Sequence, residues 1–198
     1  MDEALEAAKE GYWRDLAAID AAYARGELDD AGWHAAAAAA RPAGKYARSL
    51  LVDAVRPGQS FLDAGCANGH LMESMAAWAD VEPYGLETAP ELAALARRRL
   101  PHWADRIWVG NAIDWPPPRR FDLIRTGLDY VPAPRRRELV ERLLGFCSRL
   151  VVGVHNEERD APGFPEDVAG WGLAVAGRSE RPHPHPRLVY RAFWIDRA

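Results

Sequence analysis

From residue 60 to residue 154 short apolar runs alternate with amphipathic stretches of helical period, and this alternation constrains the fold more than any other feature. Strands are predicted at 60–64, 82–87, 106–110, 121–125 and 149–154, with helices at 69–79, 90–99 and 134–146 between them. Strands that take turns with helices form a mostly parallel sheet covered on both faces, because each helix must cross over the sheet to reach the next strand. WPPPRR, 115–120, reads as a loop, since proline cannot donate to a central ladder. After Asn156 the rhythm breaks: EERDAPGFPED leads to a short helical turn near Trp171. Runs at 173–178 and 188–196 then follow with only RSERPHPHPR between them, which predicts an antiparallel hairpin.

Ahead of this region, Leu5, Ala8, Tyr12, Leu16, Ile19 and Tyr23 stand at helical spacing and Gly26 follows them. Asp29 or Asp30 caps a second predicted helix, which carries Trp33 and the alanines of 35–40 and stops at Pro42 and Gly44. A third, 46–55, ends at RPGQ. The division expected is a helical extension or lid over 1–44 and one main domain over 45–198. A chain of 198 residues, 48% hydrophobic and 27% charged, has the composition of a soluble globular protein.

A net charge of −4 gives no general attraction to a polyanion, so nucleic acid is disfavoured as a partner. The arginines of 97–99 and 135–137 are read as solvated helix faces beside acidic neighbours. Cys66 and Cys147 are the only cysteines and lie far apart, which supports neither a disulfide framework nor a zinc cluster. HPHP, 183–186, is read as an exposed loop, so no metal is expected. The first residues are too charged for a signal peptide and no apolar run reaches membrane-spanning length; a cytoplasmic protein without a membrane partner is expected. Monomer and homodimer both stay open.

The first predicted strand runs into FLDAGCANGHL, 61–71. A dinucleotide site would want glycines at G-x-G-x-x-G, where this chain has Gly65, Ala67 and His70; the G-K-[ST] of a phosphate loop is also missing. An acid at the strand end, Asp63, followed by Gly65 and Gly69 among small residues, suits a ligand with cationic groups and no phosphate.

FLDAGCANG resembles the first motif of class I S-adenosylmethionine-dependent methyltransferases, a hydrophobic strand followed by D/E-x-G-x-G-x-G, with Ala67 at the middle glycine. The resemblance extends over roughly 44–198 and implies a Rossmann-like, seven-stranded α/β sheet, mostly parallel, whose C-terminal hairpin supplies strands six and seven. It implies S-adenosyl-L-methionine as cofactor and S-adenosyl-L-homocysteine as product. Asp63, Gly65, Cys66, Ala67, Asn68 and Gly69 would form the loop against it. Glu87, with Thr88, closes YGLE where the family carries an acid for the ribose; a carboxylate matches two vicinal hydroxyl donors. In VGNAIDW, Asn111 stands where the family often has aspartate facing the adenine amino group, with Ala112 and Ile113 beside the ring. FDLIRTG, with Thr126 and Gly127, is similar to the fourth strand and CSRLVVGVHN to the fifth. Read without the resemblance, Asp63 could be satisfied by backbone donors, and Glu87 or Thr88 could cap the helix at 90–99.

Methyl transfer needs the nucleophile held in line and dry, and an oxygen or nitrogen acceptor can also need a proton removed. Asp129, Tyr130 and His155 follow the fourth and fifth strands and are the candidate catalytic groups, with His155 the foremost base. The [DNS]-P-P-[YFW] of base amino-methylating enzymes is missing after the fourth strand. Tyr12, Trp13, Trp33, Lys45 and Tyr46 are candidate walls of a substrate pocket. The function expected is methyl transfer to an oxygen or nitrogen of a small molecule, with specialised metabolism as a setting considered for it. The alternatives are a cofactor-binding homologue without transfer chemistry and a methyltransferase acting on protein or RNA.

Overall fold

The apolar runs become the strands of one sheet in the computed structural model. It describes residues 18–19, 22, 25–28, 48–128, 131, 133–159, 164–183 and 186–197, without the side chains of 133, 154–158, 164 and 166. The strands are β1 (Ser60–Ala64), β2 (Glu82–Glu87), β3 (Ile107–Val109), β4 (Phe121–Thr126), β5 (Cys147–Glu158), β6 (Gly177–Pro182) and β7 (Leu188–Asp196). The helices are α1 (His70–Ala79), α2 (Pro90–Arg99), α3 (Arg136–Leu144) and α4 (Phe164–Gly170). Among the described residues the sheet has seven strands in the order β3-β2-β1-β4-β5-β7-β6. β1 to β5 pair in parallel, while β7 runs antiparallel between β5 and β6. Rossmann-like architecture with a terminal antiparallel hairpin is therefore the fold.

β1 and β2 bury both faces because helices lie on both. Leu62, Leu86, Ile124, Leu150 and Val152 pack with Leu139, Val140 and Leu143 of α3 and Val168 of α4. Phe61, Leu123 and Val151 point the other way, onto Met75 and Ala79 of α1 and onto Leu50 and Leu51. α2 closes the β3 side, its Ala93 and Ala96 resting on Cys66, Met72 and Ile107. Burying one such large side chain is worth about 1.5–3 kcal/mol, so dozens of them hold the strand ends in fixed relative positions.

Several boundaries differ from those expected. The helix predicted at 46–55 is helical at Arg48 and Ser49 but winds its final turn, Leu50–Ala54, as a 3₁₀ helix. α3 is shorter than 134–146, with a 3₁₀ turn at Ala133–Arg135 leading into it. β5 extends well past 149–154, because β7 supplies a partner for its outer half across an irregular register between Val154 and Glu157. The larger correction concerns β6, which is Gly177–Pro182 rather than 173–178. Leu173 and Val175 pack on the core without joining the ladder. Gly177 sets the register opposite Trp194, since a Cβ there would lie 2.2 Å from the indole Cζ2. On this edge strand only Ser179 is buried, and it donates to Asp53, which also pairs with Arg181 at 2.9 Å. The helices expected within 2–24 and 29–40 fall largely or wholly outside the described residues. So does the middle of HPHP, at 184 and 185.

Candidate active site

The strand order places β1 between β2 and β4, so connections leave it in opposite directions and a crevice opens at the carboxyl ends of the strands. The loop after β1 turns there with three positive φ angles: Gly65 at 94°, Ala67 at 47° and Gly69 at 80°. It is stitched to the neighbouring strand. Leu86 O accepts from Gly65 N at 2.8 Å and from Cys66 N at 3.0 Å. Glu87 continues the pattern with its side chain: Oε2 accepts from Ala67 N at 2.7 Å and Oε1 from Ala89 N at 3.0 Å.

A carboxylate has about four acceptor positions, so these two backbone bonds leave capacity on each Glu87 oxygen for one further donor. Two vicinal hydroxyls meet that requirement. The capping alternatives resolve differently: no side chain caps α2 at its N-cap residue Ala89, and Thr88 Oγ1 instead donates to Gly110 O at 3.4 Å. Asn68 is buried; its Oδ1 accepts from His70 N at 3.2 Å. Cys66 is buried as well, and burial, followed by the Asp63 and Glu87 carboxylates, pushes its thiol far above the ordinary range, so it stays an unreactive thiol.

Asp63 is almost wholly enclosed, and burial pushes its carboxyl up to about 6. Arg125 works against that rise from 3.2 Å, while the charge of Glu87 adds to it. At the next strand end Asn111 forms a side-chain turn, its Oδ1 accepting from Ile113 N at 3.1 Å. One acceptor position of that oxygen remains for an amino group. Ala112 and Ile113 are half-buried against the core, and Thr126 and Gly127 are buried at the end of β4.

Thus the structure brings Asp63, the 65–69 loop, Glu87, Thr88, Asn111, Ala112, Ile113, Thr126 and Gly127 to one edge of the sheet. Asp129 and Tyr130 lie outside the described residues, as do Tyr12, Trp13, Trp33, Lys45 and Tyr46. His155 has its backbone on β5; its side chain is outside the description. Among the described residues no group of three or more His, Cys, Asp or Glu could hold a metal ion, and no helix is long and apolar enough to cross a membrane.

Two arginines read as solvated are not. Arg97 donates to Ile107 O through both Nε (3.1 Å) and Nη2 (2.6 Å), tying α2 to β3. Arg99 is nearly buried, donating to Asn68 O and pairing with Glu73 at 2.9 Å, so it braces the loop. Arg135 and Arg137 do form exposed pairs with Glu138 and Glu141, whereas Arg136 donates to Val131 O. The residue that sequence reasoning missed outright is Arg125. A charge directly after the apolar Leu123-Ile124 of a central strand was its signal, because a buried arginine requires a partner.

The acceptor set fits S-adenosylmethionine: two buried carboxylates flank a close-approach loop whose sequence lacks the G-K-[ST] of a phosphate loop. Comparison with known proteins agrees. Residues 61–148 match the sequence model of a family described as Methyltransferase domain. The match takes in β1 to the start of β5, the strands whose ends form the crevice. A trans-aconitate 2-methyltransferase from Methylobacterium radiotolerans is 33% identical over 109 residues, 54% of the chain. The match spans 40% of that relative's length. A TehB-like SAM-dependent methyltransferase from Corynebacterium glutamicum superposes with a TM-score of 0.60 at 21% identity, covering 89% of this chain and 97% of that one. Magnesium protoporphyrin IX methyltransferase from Synechocystis, solved with bound SAM, gives 0.57 at 15% identity over 78% of this chain and 77% of its own. The chain thus shares its fold with these methyltransferases, and residues 61–148 share the sequence pattern of a methyltransferase domain.

Proposed function

We propose that the chain transfers the methyl group of S-adenosylmethionine to an oxygen or nitrogen atom of a small molecule. The observation that carries this reading is Glu87, which is tied to the loop after β1 by one oxygen and to Ala89 by the other, with acceptor capacity left on both. When bound, the cofactor supplies a methyl group activated by a sulfonium and leaves as S-adenosylhomocysteine. Glu87 would hold the ribose hydroxyls, Asp63 the methionine ammonium, and Asn111 the adenine amino group, with Ala112 and Ile113 against the ring. Asn68 and Arg99 keep the loop shaped.

Proximity and exclusion of water supply most of the rate expected of such a site. The name of the Methylobacterium relative suggests a carboxylate oxygen as acceptor. Such an acceptor is already deprotonated at neutral pH and needs no base. A hydroxyl or amine acceptor would call on His155, Asp129 or Tyr130, and the segment 1–44 would cover the acceptor.

Calorimetry with S-adenosylhomocysteine tests cofactor binding; binding of NADH without binding of this ligand would overturn the reading. Incubation with methyl-labelled cofactor and separate metabolite, protein and RNA fractions tests the acceptor class. Label in the metabolite fraction is expected. Label confined to protein or RNA would replace the small-molecule reading, and binding without any transfer would mark a non-catalytic homologue.

A further inference from the structure

A buried arginine sits at the base of this site, where the general pattern of two acids and a glycine loop has no use for one. Arg125 lies on β4 directly beside Asp63 of β1 in the ladder register. Its Nη1 donates to Asp63 Oδ1 at 3.2 Å, and both side chains are more than nine-tenths enclosed. A socket is built around the guanidinium: on β5, two residues beyond Val151, which pairs with Arg125 in the ladder, stands Gly153, where a Cβ would lie 3.3 Å from both Nε and Nη2. The strands on either side of β4 therefore contribute an acid and a vacancy to the same cation.

Resting on the cofactor reading above, we propose that Arg125 is a positioning residue for cofactor binding: it reaches from β4 to β1 and keeps Asp63 as a fixed anion for the ammonium of the methionine group. The charge balance favours this arrangement. Asp63 and Glu87 contribute two negative charges and Arg125 one positive, leaving one net negative charge. S-adenosylmethionine, with an ammonium, a sulfonium and a carboxylate, carries one net positive charge. Without the guanidinium, Asp63 would face burial and the repulsion of Glu87 with no compensating cation, and the buried carboxyl would take up a proton instead. A neutral carboxyl loses its attraction for an ammonium. The charged groups that act on Asp63 from the surrounding elements are Arg125 from β4 and Glu87 from β2, while the neighbouring Cys66 thiol of the loop is a neutral group that Asp63 itself pushes upward.

The test is calorimetry with S-adenosylhomocysteine from pH 5.5 to 8.5 on wild type, Arg125→Met and Arg125→Lys, with the Asp63 carboxyl followed by carbon NMR in the ligand-free proteins. Wild-type affinity should weaken below about pH 6, where Asp63 protonates. Arg125→Met should move this limb, and the ligand-free Asp63 titration, upward by at least about one unit, weakening binding roughly twofold at pH 7 and approaching tenfold at pH 5.5 relative to wild type. Arg125→Lys should bring the limb back toward wild type. In an Asp63→Asn background the Arg125→Met change should shift no limb. If Arg125→Met does not fold, Arg125→Gln, which keeps a donor but no charge, carries the same test. A folded neutral variant whose limb and Asp63 titration coincide with wild type would overturn the proposal and leave the pair a tie between strands. Wild-type protein that fails to bind S-adenosylhomocysteine would overturn the cofactor reading itself, and this proposal with it.

Discussion

Ala67 occupies the middle glycine position of the loop motif and adopts a φ of 47°. A side chain in this left-handed region costs on the order of 1 kcal/mol, because the Cβ crowds the following carbonyl. The conformation survives because Ala67 N is held by Glu87 Oε2 at 2.7 Å, with Gly65 and Cys66 anchored just before it. Ala67→Gly should therefore raise stability by about 0.5–1 kcal/mol, the relief of strain outweighing the added freedom of the unfolded chain. A urea midpoint lower than that of wild type would show that the strain is not there. At this scale the two acids could be read from the sequence, since Asp63 and Glu87 each end an apolar run. Arg125 could not be assigned a role, because its partner lies 62 residues away and only the pairing of β1 with β4 brings them together.

Among the elements, β1, β2 and β7 have the bounds that their apolar patterns predict. β6 does not, and the reason is that its place is set by its neighbour's indole rather than by its own composition. Gly177→Ala would drive a methyl into Trp194, since the site stands 2.2 Å from Cζ2. The ring or the strand must shift, at a cost of about 1–3 kcal/mol as for other overpacked positions. Equilibrium denaturation should show that loss, and an unchanged midpoint would mean that the edge strand can slide to another register. α2 gives the opposite lesson. Its bounds were legible from period and proline, but the work of its last turn was not: Arg97 and Arg99 grip a β3 carbonyl and the loop after β1. An arginine run looks the same on a helical wheel whether it faces water or a carbonyl.

For the whole molecule, the response to acid is shaped by two groups of opposite sign. Burial, with Arg48 and Arg99 nearby, pushes His70 down to about 4, although Glu73 at 3.4 Å opposes the fall. Between about 6.5 and 4 the unfolded chain binds the proton that folded His70 refuses, so His70 subtracts stability as pH falls through that window. Asp63, raised to about 6, does the reverse: the folded state binds its proton first, so acidification between about 6 and 4 favours folding through this group. His70→Gln removes the first effect and keeps the second. Its stability relative to wild type should thus improve by on the order of 1 kcal/mol between pH 7 and pH 4.5. Urea titrations at the two pH values check it, and a constant difference would mean that His70 keeps its ordinary titration in the fold.

The stitching of the first loop to β2 has a kinetic consequence for the molecule at large. Amide protons in a surface turn normally trade with solvent through small local openings. Those of Gly65, Cys66 and Ala67 are donated to Leu86 O and the Glu87 carboxylate, acceptors on a different strand from the one that carries them. Their release requires the loop to come away from β2, which lies inside the sheet between β3 and β1. In deuterium these three amides should exchange at the pace of strand amides such as those of Leu62 and Leu86, so that the cradle dissolves only when the fold does.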